Sequence, residues 1–158
     1  MHKATGITIL LVLGLTMAGC GSSTAGGLRS GNIHGNWTAT LTNADGSTTY
    51  QFSATFAQST GSYLNVTNLT FTLPGSCFAS YSPGEYGPTA WFTPSRNSNG
   101  KVAGTFGMSM VSPAIVGPAL GLQGVLSVST ISGTWKLSGG TAACNGNGTF
   151  IMQPSVIG

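Results

Sequence analysis

From Gly35 to Gln153 apolar residues recur at every second position, and the runs are separated by clusters of Gly, Asn, Ser and Pro. A period of two is the mark of a strand with one buried face. The run Gly35–Thr42 sets Trp37, Ala39 and Leu41 against Thr38, Thr40 and Thr42. Asn43-Ala44-Asp45-Gly46 then has the chemistry of a turn, and in Ser47–Gln58 the residues Tyr50, Phe52, Ala54 and Phe56 share a face. A third run carries Leu64 and Val66 and then changes phase to Leu69, Phe71 and Leu73, which predicts a bulge near Thr67-Asn68. Further strands are predicted over 89–93, 101–110, 120–128, 131–138 and 149–153. No segment of this region sustains a period of 3.6, and its Gly, Thr and Val disfavour one, so no helix is expected in it.

The predicted fold is therefore all-β: an eight-stranded antiparallel up-and-down meander closing into a barrel, over residues 35–158. A glycine followed two residues later by an aromatic recurs at Gly35/Trp37, Gly104/Phe106, Gly133/Trp135 and Gly148/Phe150. Residues two apart share a strand face, so the glycine lets the sheet curve while the ring covers the neighbouring backbone. A transmembrane barrel would need an apolar second face, and here that face is Thr, Ser and Gln.

Ahead of this body lies a different pattern. Met1-His2-Lys3 is followed by an apolar run from about Ile7 to Met17, too short to span a bilayer but suited to a secretory signal. Leu15-Thr16-Met17-Ala18-Gly19-Cys20 resembles the lipobox of bacterial lipoproteins. That resemblance implies removal of residues 1–19, acylation of Cys20 as the new N-terminus, and a membrane partner held through the lipid. Gly21 in place of Asp implies, by the same analogy, export to the outer membrane of the cell envelope. Residues 20–34 are rich in Gly and Ser without apolar periodicity and are expected to form a flexible tether. If Cys20 carries lipid, Cys77 and Cys144 remain as an even pair in an oxidising compartment, which predicts a disulfide. In an eight-strand meander the connections alternate ends, which places both cysteines in loops at the same end.

Charge removes several function classes. Only 4% of residues are Asp, Glu, Lys or Arg, and the acids are two, Asp45 and Glu85. With His2 and His34 the only histidines, a general acid, a base and an orienting partner are hard to assemble, and so is a metal site; no catalysis, metal or cofactor is expected. The cations are scattered singly along the chain, so the net charge of +3 argues for no nucleic-acid partner.

The opening Gly35-Asn36-Trp37 with eight predicted strands resembles the lipocalin or calycin group, whose barrel encloses a small apolar ligand. The chain departs from that group in lacking a T-D-Y motif and an Arg in the last strand. The residues expected to face such a ligand are Tyr50, Phe52, Phe56, Phe106, Met108 and Trp135; the alternative is that the same side chains simply fill the core. A second reading is a structural or surface-contact protein, with Phe78, Tyr81, Tyr86 and Trp91 in or beside the long loop forming an aromatic platform for an envelope glycan or protein. The alternative for these rings is that the disulfide loop folds them over the barrel mouth.

Overall fold

A computed structural model describes residues 27–29, 32–73, 75–78, 87–111, 117–139 and 144–155. Strands run β1 (Gly27–Arg29), β2 (Asn32–Asn43), β3 (Thr48–Gln58), β4 (Tyr63–Leu73), β5 (Thr89–Arg96), β6 (Val102–Val111), β7 (Ala119–Ser127), β8 (Thr130–Ser138) and β9 (Gly146–Pro154). Each pairs antiparallel with the next, and β2 also pairs with β9 from Trp37↔Pro154 to Asn43↔Gly148. β2 to β9 are thus the closed eight-stranded up-and-down barrel that the alternation predicts, without a free sheet edge at the first and last barrel strands.

Burial follows the predicted parity. Trp37, Ala39 and Leu41 point inward from β2, and Tyr50, Phe52, Ala54 and Phe56 from β3. The phase change in β4 is a bulge: Ser53 opposes Thr70 and Thr55 opposes Thr67, so Asn68 and Leu69 together face Ala54. Asn68 adopts a left-handed φ of 51°, and beyond it Leu69 turns into the core.

The structure corrects the sequence reading over the tether and the long loop. Gly27–Arg29 pairs with Asn32–His34, and Ile33 is fully buried, so the ordered fold begins before Gly35. Burial of that single isoleucine outweighs the weak local propensity of a Gly/Ser-rich stretch, contributing about 1.5–3 kcal/mol. A helical turn that the sequence did not suggest, α1 (Gly75–Phe78), follows β4. Four residues are too few to show a helical period, so the pattern could not have revealed it.

Cys77, on α1, is disulfide-bonded to Cys144, with Cα atoms 5.5 Å apart and a sequence separation of 67. Both lie at the barrel end that also carries the Asn43–Ser47 turn, as the alternating connections require. Among the described residues the seam between β4 and β5 is short, with Tyr63↔Trp91 and Leu64↔Ala90 as its paired residues.

Candidate functional site

The six residues expected to face a ligand do point into the barrel, and they meet one another there. Phe56 and Phe106 stand edge to face at 5.8 Å, and Phe106 lies 6.5 Å from Phe150. Tyr50 and Trp135 form a second T-shaped pair at 5.6 Å. These pairs join β3 to β6 and β3 to β8, walls separated by intervening strands, so the rings touch across the barrel axis. Phe52 and Met108 are buried in the same cluster. An eight-stranded barrel is just wide enough to be filled by its own side chains, and these rings occupy the space along its axis where they meet. Burial also pushes the Tyr50 phenol above the ordinary tyrosine range, because its charged form would lose its hydration.

The aromatic platform is divided. Phe78 is buried rather than offered for contact: it stacks on Phe71 with centroids 4.7 Å apart and meets Tyr50 edge-on at 5.3 Å. The bond from Cys77 to Cys144 pins α1 against the mouth, and the neighbouring ring gains more by covering the core than by facing water. Tyr81 and Tyr86 lie outside the described residues, as do Cys20, the segment 1–19 and Glu85.

Trp91 is neither in the distal loop nor in the core. It sits on the outer wall in β5, half-buried, with its indole laid over Gly107 of β6; a Cβ on that glycine would collide with the ring atoms Cζ2, Cε2 and Cη2. Strand pairing then aligns a row of outward residues across the sheet, Tyr63–Trp91–Gly107–Gln123–Thr134, each directly opposite the next. Tyr63 keeps 64% of its surface exposed. Two grooves meet along this row, sharing Trp91, Gln123 and Thr134. One extends over Thr105, Val125 and Ser132, and the other over Ser109, Gly121 and Lys136. Their volumes, about 540 and 460 Å³, fall within the size of small-ligand clefts, roughly 300–1,000 Å³.

No protein-family model, curated protein or solved structure matches this chain.

The polar chemistry elsewhere is structural. Asp45 accepts hydrogen bonds from the Ser47 hydroxyl at 2.6 Å and the Ser47 amide at 2.9 Å, closing the β2–β3 turn. Those bonds, the hydroxyl's first, hold its carboxyl below the usual aspartate range. Nδ1 of His34 is buried without a hydrogen-bond partner among the described residues, near the start of β2 and at the opposite end from Asp45. Among the described residues no group of three or more His, Cys, Asp and Glu comes together to hold a metal ion, and no helix is long and apolar enough to cross a membrane.

Sequence reasoning singled out Trp91 but not its neighbours. Tyr63, Gln123 and Thr134 come from strands distant in sequence, and nothing short of the inter-strand register shows that they stand in one row.

Proposed function

We propose that this chain is a lipid-anchored, non-catalytic protein of the cell envelope that makes its contacts with the outer wall of a solid barrel. The observation that carries this reading is the meeting of Phe56 with Phe106 and of Tyr50 with Trp135 across the barrel axis. A barrel filled in this way is a rigid mount, which favours surface contact over a small apolar ligand in the interior. The wall row ending in Tyr63 and Trp91 supplies the exposed aromatic surface that such a contact needs. The lipobox-like Leu15–Cys20 supports the anchor: acyl chains bury about 0.8 kcal/mol per CH₂, and several chains hold a protein firmly.

Two measurements test this function. Alkyne-palmitate fed to expressing cells should label the wild-type chain and leave Cys20→Ser unlabelled. A photo-reactive amino acid at position 123 should crosslink to an envelope component in intact cells, while the same group at position 153, on β9, should not. Equal labelling of the Cys20→Ser chain would overturn the anchor, and a position 123 as silent as position 153 would overturn the wall contact.

A further inference from the structure

Of the three tryptophans, Trp37 and Trp135 are buried in the core and Trp91 alone stands on the wall. Its indole replaces the side chain that Gly107 lacks, so the ring is seated on backbone and held at a defined place. Tyr63 faces it from β4, largely exposed. Neither ring fills the interior, and leaving both at the surface sacrifices the gain from burial. Down the row the surface changes character. Gln123 and Thr134 bring an amide and a hydroxyl, Ser109 and Ser132 flank them, and Lys136 closes one groove. Among the described residues no carboxylate lines either groove.

A ligand for this surface needs an apolar face to lie against an indole and a rim of hydroxyls to engage amide, hydroxyl and ammonium groups. A pyranose has both: its axial C–H face is apolar and its equatorial hydroxyls project from the edge. A protein partner would need about 800 Å² with a desolvated apolar centre. Here the outward positions beside Trp91 are mostly small and polar: Gly107, Thr105, Ser109 and Gln123. The row from Tyr63 to Thr134 crosses five strands of the curved wall, a path of roughly 19 Å at about 4.8 Å per strand, longer than one sugar ring. We propose that the Trp91 wall binds an extended neutral glycan chain, one pyranose stacked on Trp91 and the following units hydrogen-bonded to Gln123 and Thr134. This inference rests on the wall-contact reading above and names the partner of that surface.

The test uses the full chain in mild detergent, with hexasaccharides of β-1,4-linked glucose and of β-1,4-linked N-acetylglucosamine as probes. Because the other two tryptophans are buried, acrylamide quenching of indole fluorescence reports Trp91. At least one hexasaccharide should shield it saturably, with glucose or N-acetylglucosamine alone about tenfold weaker or worse, and Trp91→Ala should lose the binding that Trp91→Phe partly keeps. Binding by Trp91→Ala is read by calorimetry. Gly121→Leu gives an independent check. A Cβ there meets nothing closer than the Lys136 carbonyl at 4.0 Å, so the new side chain stands in the groove without disturbing the sheet. It should abolish binding with an unchanged melting temperature. Failure of both hexasaccharides to shield Trp91, or wild-type binding by Trp91→Ala and Gly121→Leu, would overturn the proposal. If the hexasaccharides fail while the photo-reactive group at position 123 captures a protein, the glycan is wrong and the wall contact stands. If both experiments are silent, the wall contact falls with it.

Discussion

The indole N–H of Trp135, on β8, donates to the backbone carbonyl of Thr42, on β2, at 3.0 Å. β9 lies between these strands, and the bond passes over it at Gly148, the direct partner of Trp135. A Cβ on Gly148 would fall against the Thr42 carbonyl and 2.8 Å from the indole nitrogen. The closing strand of the barrel is thus bridged by a side chain that only a glycine admits.

Gly148→Ala should therefore displace the indole and leave a part-buried N–H and carbonyl unsatisfied, costing about 2–4 kcal/mol. Gly121→Ala, whose Cβ meets nothing closer than 4.0 Å, should leave stability unchanged or raise it by up to about 1 kcal/mol. Urea denaturation of the two variants checks the difference, and similar midpoints would contradict the bridging role of Gly148.

Phe106 is packed between Phe56 and Phe150 near the middle of the barrel. Phe106→Ala should lower stability by about 3–5 kcal/mol and open an apolar cavity. Such cavities stay dry and accept benzene-sized molecules. Benzene should raise the melting temperature of Phe106→Ala and leave that of the wild type unchanged; stabilisation of the wild type by benzene would indicate interior space that the meeting of these rings does not leave.

The β7–β8 turn holds Val128 at a φ of 60°, exposed and followed directly by Ser129. A β-branched residue in the left-handed region is strained, and glycine is preferred at the first position of such two-residue turns. Val128→Gly should raise stability by about 1 kcal/mol, the relief of strain exceeding the added freedom of the unfolded chain. Thermal unfolding checks it, and a lower melting temperature would count against strain at this turn.

Reducing the Cys77–Cys144 bond, which closes a loop of 67 residues, should lower unfolding stability by around 4 kcal/mol on the chain-entropy account. It should also release Phe78 from Phe71 and Tyr50. Tyr50 then gains water, its phenol loses the upward push of burial, and the high-pH end of the spectrophotometric tyrosine titration should move to lower pH under reducing conditions. Identical urea midpoints with and without reductant would show that the bond does not hold the mouth closed.

Alternation along the chain was enough to place all eight barrel strands, the inward faces of Trp37, Phe52, Phe106 and Trp135, and the bulge at Asn68, because a two-residue period and its phase are local properties of the chain. The disulfide followed from counting cysteines and alternating loop ends. What lay beyond the sequence was everything set by register and by loop closure. Tyr63 and Trp91 are distant in sequence, and they face one another only because the short β4–β5 seam pairs them. Phe78 could have faced water or core, and the bond at Cys77 together with the rings of Phe71 and Tyr50 decided for the core. Ile33 lies in a stretch without periodicity, and it is buried in a core cluster supplied largely by the other strands. A strand announces its faces in its own residues; which strand it meets, and at which residue, is an outcome of packing the whole barrel at once.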